Sequence, residues 1–210
     1  MKYKQFYHRN LPHIQPEDSV LFVTYRLFFE LPVEYHNKIQ KMKLEFRRRI
    51  KFLDKRKIEL EKYKFENRLF DFKDNFIGKF KNSPFLLKNK NIANLVKDSL
   101  FWGVQKRYDL FAFCIMPNHV HIVIRPLLKN EEPFPLQQIM CDHKHFTAIE
   151  SNKILKRNGH FWLDEHYDHY IRNEKEFYNI LNYIYMNPVK ANLVETPEEW
   201  EFTYINEELL

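Results

Sequence analysis

The sequence predicts an α+β fold of the ferredoxin-like kind, in which a βαββαβ chain forms one antiparallel sheet covered by helices. Segments of strand composition alternate with segments of helical periodicity in that order along the 210 residues. Hydrophobic residues make up 44% of the chain and aromatic residues 17%, which is enough to bury a core. We therefore expect a single domain over residues 1–210, with a charged helical insertion at about 33–82 and a tyrosine-bearing helix near the C-terminus.

The first strand is predicted at residues 19–29, SVLFVTYRLFF, which are rich in β-branched and aromatic side chains. Residues 33–73 are charged and contain no glycine, and their apolar residues recur at a roughly helical spacing. This pattern predicts one long helix or two shorter ones. The segment RRRIKFLDKRK inside it leaves two interpretations open, a solvated helical insertion or a basic arm for DNA.

After the insertion, the pattern predicts a helix, two strands joined by a turn, a helix, a fourth strand and a last helix. The predicted ranges are a helix from 90 or 91, strands at 108–116 and 119–126, a helix at 134–155, a strand at 160–171 and a helix at 174–188. The acidic tail that follows is expected to pack through Trp200 and Tyr204. This order completes the βαββαβ pattern and adds one terminal helix.

Charge and composition favour an anionic partner. The formal net charge is +6, and nucleic acid is the usual partner of such a chain. With three glycines, the chain has no glycine-rich phosphate loop. The sequence has no apolar run long enough to cross a bilayer and no secretion signal, and its two cysteines are interpreted as reduced, which together predict a cytosolic protein.

His119 and His121 lie two residues apart in the predicted third strand, so their side chains project from the same face. Two neighbouring imidazoles suit the binding of one divalent ion. A chance triplet in a chain with ten histidines is the alternative.

Two further histidine pairs compete with this one. On the predicted helix, His143 and His145 lie about 200° apart and cannot share an ion. His166 and His169 lie near the end of the fourth strand, and they could either support a site or simply pack there.

Tyr183 and Asn187 are four residues apart in the last helix and share a face. A tyrosine hydroxyl beside a metal-polarised phosphate is a usable nucleophile, and the side-chain oxygen of Asn187 could be a third metal ligand. The alternative for Asn187 is a helix N-cap ahead of Pro188. Tyr185 lies about 200° from Tyr183 and is expected to face the core.

The motif MPNHVH, followed by a strand and then by the distal YIYMNPVKANLV, resembles the single-tyrosine HUH transposases. It is most similar to the REP-associated tyrosine transposases, the branch tied to repetitive extragenic palindromes. The resemblance extends over nearly the whole chain. It includes IMCDHKHFTAIESNKIL, and the charged 37–82 segment matches an insertion found in part of this branch.

The resemblance implies a ferredoxin-like fold and a site for DNA cleavage and rejoining. His119 and His121, with Asn187, would hold Mg²⁺ or Mn²⁺ against a scissile phosphate. Tyr183 would attack that phosphate to give a 5′-phosphotyrosine and a free 3′-hydroxyl. A second DNA 3′-hydroxyl would reverse the step, so that strands are exchanged without ATP.

The implied partners are single-stranded DNA and DNA hairpins, and we expect a monomer rather than a dimer, acting in the cytoplasm of a bacterial-type cell at the nucleoid. Four basic residues near the motif segments are candidate phosphate contacts, with ordinary surface charge as the alternative. These are Arg125, Lys144, Arg172 and Lys190. The alternative function is a domesticated DNA hairpin-binding protein with little or no catalysis. A structural zinc protein is disfavoured, because a cysteine-rich ligand set is absent from the sequence.

Overall fold

The structure, a computed structural model, describes residues 2–8 and 12–209. The chain forms two compact units, one of residues 29–83 and the other of the described residues on either side of that segment. The helices are α1 (Val33–Ile50), α2 (Lys55–Lys79), α3 (Lys90–Gly103), α4 (Leu136–Ile154) and α5 (Glu174–Lys190). The strands are β1 (Phe6–His8), β2 (Pro12–Ile14), β3 (Leu21–Arg26), β4 (Tyr108–Ile115), β5 (His119–Pro126), β6 (Leu128–Lys129), β7 (Glu132–Pro133), β8 (Tyr167–Tyr170) and β9 (Thr203–Ile205).

The larger unit is built on a five-stranded antiparallel sheet in the order β8-β3-β5-β4-β9. The four predicted strands are β3, β4, β5 and β8, and they lie in the order fourth, first, third, second, as in a ferredoxin-like sheet. The predicted fold class is therefore confirmed. None of the described helices is long and apolar enough to cross a membrane.

The sheet differs from the prediction at its two edges. The fourth strand is short, because Phe161 and Trp162 leave the ladder and follow β3 only through single backbone contacts, such as the Phe28 N–H to the Phe161 carbonyl at 2.8 Å. The acidic tail adds the edge strand β9, which was not predicted from the sequence. Its expected packing is confirmed, because the Tyr204 ring stacks on Phe113 at 5.4 Å and the Trp200 indole N–H donates to a β4 carbonyl.

The smaller unit is a helical hairpin of α1 and α2. The chain breaks into two helices at Asp54, whose side chain accepts a hydrogen bond from the Lys57 N–H at 3.0 Å and so caps α2. The two helices pack through an apolar seam in which the rings of Phe46 and Phe65 stack at 4.3 Å. Of the two options left open by the sequence, two shorter helices are observed.

Strand β3 is held to α4 through Tyr25. The Tyr25 hydroxyl is hydrogen-bonded to Nε2 of His143 at 2.6 Å, and Nδ1 of His143 is hydrogen-bonded to the Ser99 hydroxyl on α3 at 2.9 Å. His143 is buried, and this burial lowers the pKa of its imidazole to about 3. His145, two residues along the helix, is exposed. His143 is thus a neutral core histidine that fixes one face of β3.

We expect His143 to make unfolding depend on pH. The imidazole has a pKa near 6.5 in the unfolded chain and about 3 in the folded one, so its contribution to stability is complete above pH 6.5 and is lost as the pH falls. Between pH 6.5 and 5 this loss is about 2 kcal/mol. Denaturant titrations should show that His143→Gln lacks this part of the wild-type pH dependence.

The matched control is His145→Gln, which removes an exposed histidine from the same helix and should retain the wild-type dependence. If the free energy of unfolding depended on pH identically in the wild type and in His143→Gln, burial would not be what keeps His143 neutral.

Candidate active site

His119 and His121 lie at the start of β5, the central strand of the sheet. Their side chains are buried and project from the same face, with ring centroids 4.8 Å apart and ring planes at 82°. The geometry predicted from their spacing is therefore present.

Each imidazole is oriented by a neighbour through Nδ1. Nδ1 of His119 lies 2.6 Å from Oδ1 of Asn118, an atom that can only accept, so the proton is on Nδ1 and the lone pair is on Nε2. Nδ1 of His121 lies 2.8 Å from the Thr24 hydroxyl, which can accept the same kind of bond. Both Nε2 atoms are buried. This tautomer is the one in which Nε2 can bind a metal, and such neighbours typically set the ring orientation in metal sites.

Helix α5 brings Tyr183 against this pair. The Tyr183 ring lies 5.5 Å from the His121 ring at 79°, and both rings contact Phe22 on β3. Tyr183 is half-buried. The structure thus places the predicted nucleophile beside one of the predicted metal ligands, in the same chain.

Asn187 lies one turn further along α5 and is buried. Its backbone carbonyl accepts a hydrogen bond from the Ala191 N–H at 3.0 Å, and Pro188 lies within the last turn of the helix. The N-cap interpretation of Asn187 is therefore wrong. Its side-chain Nδ2 is buried and has no hydrogen-bond partner among the described residues. Such an unpaired buried donor is costly for folding alone, which favours a bound acceptor at this position.

Lys190 shares the face of Tyr183, because α5 continues through Pro188 to its end at Lys190. The Lys190 ammonium lies 5.0 Å from the centre of the Tyr183 ring. Of the four predicted phosphate contacts, this one lies directly against the predicted nucleophile.

The other three predicted phosphate contacts also make interactions within the protein. Arg125 forms an ion pair with Asp109 at 2.7 Å. Lys144 is buried, and its ammonium donates to two backbone carbonyls in the loop before β8. The Arg172 guanidinium lies 5.2 Å from the centre of the Tyr170 ring.

The histidines of the fourth strand have local roles. Nε2 of His169 donates to the Glu176 carboxylate at 2.9 Å. The other oxygen of that carboxylate accepts from the Arg172 N–H at 2.8 Å, just ahead of α5. His166 is buried 3.7 Å from Asp168. The two interpretations of His169 were support of a site and simple packing. The observed contacts favour the first, because His169 helps to hold the start of the helix that carries Tyr183.

Four residues around the site were not predicted from the sequence. Three of them, Phe22, Thr24 and Arg26, alternate along β3, and the register pairs Thr24 with His121 and Arg26 with His119. Paired residues face the same side, so β3 lines the site. The fourth is Asn118, in the turn before β5. The sequence shows which residues of β3 share a face. It does not show the register with β5 that places one of these faces beside the histidines.

Tyr185 does not lie in the core, so that expectation is wrong. It is partly exposed, and its hydroxyl donates to the Glu198 carboxylate, which raises the pKa of the Tyr185 phenol. The reason is that the chain after α5 folds back along the helix and covers this side with a short acidic turn. Helical geometry placed Tyr185 opposite Tyr183, but it could not tell which surface lay there.

No protein-family model matches the chain. It is 29% identical over 104 residues to a Haemophilus influenzae protein whose name assigns it provisionally to the REP-associated tyrosine transposases, with 46% of this chain and 58% of the relative covered. It is 26% identical over 98 residues to a REP-associated tyrosine transposase of Escherichia coli K12, with 46% and 53% covered. The chain thus spans a little over half the length of the curated relatives it matches.

A solved structure of a REP-associated tyrosine transposase bound to a REP hairpin matches with a TM-score of 0.53. The match covers 93% of this chain and 82% of that one, at 15% sequence identity. This likeness confirms the fold. Together with the two curated relatives, it makes the chain similar to REP-associated tyrosine transposases, as the sequence motifs predicted.

We expect Thr24→Val and Asn118→Ala to weaken the binding of Mn²⁺ to the full chain by about 10- to 100-fold, because each removes the neighbour that orients one imidazole. Isothermal titration calorimetry with Mn²⁺ measures this directly. Ser99→Ala is the control, since it removes the same kind of bond from His143 in the core. Unchanged Mn²⁺ affinity in both site variants would contradict a metal-binding role of the histidine pair.

Proposed function

We propose that this chain is a metal-dependent single-strand DNA endonuclease and strand transferase that acts at DNA hairpins through a 5′-phosphotyrosine intermediate. The observation that carries the proposal is the packing of Tyr183 against His121 of the His119–His121 pair, at 5.5 Å within one chain. A phenol beside two imidazoles with buried Nε2 atoms can support nucleophilic, metal-assisted phosphoryl transfer.

The residues present fit a divalent ion. Two imidazole nitrogens and the side-chain oxygen of Asn187 would hold Mg²⁺ or Mn²⁺, and further positions would suit oxygen from water and phosphate. When bound, the ion supplies positive charge that neutralises the scissile phosphate. Asn118 keeps His119 in the tautomer whose Nε2 can bind a ligand, and the Thr24 hydroxyl can accept from Nδ1 of His121 and favour the same tautomer there.

The chemical step is carried by Tyr183. Its Oη forms a bond to phosphorus while the bond from phosphorus to the 3′ oxygen breaks. The phenol proton leaves to solvent, and the leaving 3′ oxygen takes up a proton to become a hydroxyl. Phe22 packs against the Tyr183 ring and holds it beside His121. Because the phosphotyrosine conserves the bond energy, a second 3′-hydroxyl can reverse the step without ATP.

Positive side chains then stabilise the charge on the phosphate. Lys190 lies against the Tyr183 ring, and Arg26 lies opposite His119 on the same face of the sheet. Arg125, Lys144 and Arg172 are proposed as further contacts along the DNA backbone. Since one chain supplies both the histidines and the tyrosine, a monomer can carry a complete site.

Hairpin DNA is the proposed substrate because the curated relatives are named for REP elements and the solved relative is bound to a REP hairpin. Single-stranded DNA beside the hairpin is needed, since a duplex would restrict access to the scissile backbone. An enzyme of this kind acts at the nucleoid, in the cytoplasm. The alternative, a domesticated hairpin-binding protein without catalysis, keeps the binding but forms no covalent intermediate.

Tyr183→Phe should abolish the covalent protein–DNA adduct, because only the attacking hydroxyl is removed. The chain is incubated with labelled hairpin oligonucleotides from the DNA that flanks its own gene, together with Mn²⁺, and the products are separated on a denaturing gel. We expect adduct formation to fall by about 10³-fold or more, while hairpin affinity remains unchanged.

Tyr185→Phe is the matched control on the same helix, and it should retain the adduct. It loses only the exposed hydrogen bond to Glu198, so the stability of the chain should hardly change. An adduct that persists in Tyr183→Phe would assign the nucleophile elsewhere. If the wild-type chain binds the hairpin and forms no adduct with any flanking DNA, the non-catalytic alternative is correct.

Chelation should separate binding from chemistry. EDTA should abolish cleavage, because it removes the ion that neutralises the scissile phosphate. Hairpin binding should persist in EDTA and fall steeply with salt, because the phosphate contacts are electrostatic. His121→Gln, which keeps a polar side chain in the central strand, should behave like the chelated wild type. Loss of hairpin binding on addition of EDTA would instead make the ion an organiser of the DNA-binding surface.

A further inference from the structure

The net positive charge of the chain is concentrated in one short segment. Residues 47–57, RRRIKFLDKRK, contain seven of the 34 lysines and arginines but only one of the 28 acidic residues, so they carry a net charge of +6. The remaining 199 residues contain 27 basic and 27 acidic side chains and are neutral overall. The sequence-wide excess that suggests an anionic partner therefore resides in these eleven residues alone.

The structure makes this segment the turn of the α1–α2 hairpin, and we call residues 47–57 the hairpin tip. It joins the last turn of α1 to the first turn of α2. All seven of its basic side chains are exposed. The cap at Asp54 and the stacked rings of Phe46 and Phe65 give the tip a defined backbone, so its charges are presented together.

Most of these charges are not neutralised by any residue in the described part of the chain. Arg49 pairs with Glu61 at 3.2 Å, and Lys57 pairs with Asp54 at 3.3 Å. The other five basic side chains form no ion pair with any residue that the structure describes. These five are Arg47, Arg48, Lys51, Lys55 and Arg56. They remain able to bind anionic groups.

Folding does not account for the charges at the start of α2. Lys55, Arg56 and Lys57 occupy the first turn of that helix, which holds no acidic residue. The N-terminus of a helix carries a partial positive charge, so cations there oppose helix formation. A binding function explains residues that the helix itself disfavours.

Phe52 adds an aromatic surface at the centre of the charge. Its side chain is 86% exposed, the highest value among the large hydrophobic residues of the described chain. The Lys51 ammonium lies 5.7 Å from the centre of its ring. An exposed aromatic ring surrounded by cations is the combination that binds single-stranded nucleic acid, since bases stack on the ring while cations contact the phosphates.

We propose that the hairpin tip is a second DNA-binding surface, in which the basic side chains contact phosphates and Phe52 stacks on an unpaired base. The choice of DNA as the nucleic acid rests on the proposed function. The exposed ring favours single-stranded DNA over duplex, because bases in a duplex are already stacked on one another.

The test replaces the five unpaired cations of the tip by glutamine in the full chain. The variant is Arg47→Gln, Arg48→Gln, Lys51→Gln, Lys55→Gln and Arg56→Gln. The matched control removes five other exposed charges of the same hairpin, through Lys38→Gln, Lys41→Gln, Lys43→Gln, Lys62→Gln and Arg68→Gln. Affinity for a single-stranded oligonucleotide is measured by fluorescence anisotropy between 50 and about 300 mM salt.

We expect the tip variant to bind at least about tenfold more weakly at low salt, with a salt slope reduced by up to about 3.5, since each phosphate contact to a single strand contributes about 0.7. The control variant should keep most of the wild-type affinity and slope. Phe52→Ala should weaken binding about tenfold without changing the slope, and Phe52→Trp should restore it.

Equal losses of oligonucleotide affinity in the tip and control variants would overturn the proposal, because only the total charge of the hairpin would then matter. Unchanged oligonucleotide affinity in the tip variant would overturn the proposal as well. So would a tip variant that loses binding to vesicles of anionic phospholipid but keeps its affinity for the oligonucleotide. The wild-type adduct assay is independent of these outcomes. A chain that forms the Tyr183 adduct but binds DNA without the tip keeps the proposed function and loses this inference.

Discussion

The antiparallel pairing of β3 with β5 is the constraint on which the site depends. Its register sets Thr24 opposite His121 and Arg26 opposite His119, so that these two β3 side chains point to the same face as the imidazoles. A slip of one residue would send the β3 side chains to the other face and leave His121 without its hydroxyl neighbour. Helix α5 then needs only to pack on this face to bring Tyr183 against His121.

The same two strands also hold the core, because alternate residues of β3 serve different faces. Tyr25 points away from the site, toward α4, and its hydroxyl bond to the neutral His143 fixes the strand from behind. Thr24, next in the chain, faces the site. Adjacent residues of β3 thus take part in a polar network in the core and a polar network in the site. Hydrogen bonds on both faces of the sheet therefore fix the position of this strand.

What could be predicted from the sequence follows local geometry. The shared face of His119 and His121, and that of Tyr183 and Asn187, need only the strand and helix periods, and the structure has both elements. Residues whose role depends on a distant partner were missed or misjudged. Thr24 depends on strand register, and Tyr185 depends on a later turn that covers its side of α5. Edge strand β9 was also missed, because three residues carry too little periodicity to identify a strand.

Charge divides between the two units, and under the proposed function this division separates DNA affinity from chemistry. In the larger unit, cations such as Arg125 and Arg107 have carboxylate partners within the fold, at 2.7 and 2.6 Å. In the hairpin tip, most cations have none among the described residues. Unpaired exposed cations bind anions strongly at low salt and weakly at high salt, whereas the proposed chemistry at buried imidazoles and a packed phenol would be screened much less. Salt would then change how tightly DNA is held far more than how fast bound DNA reacts.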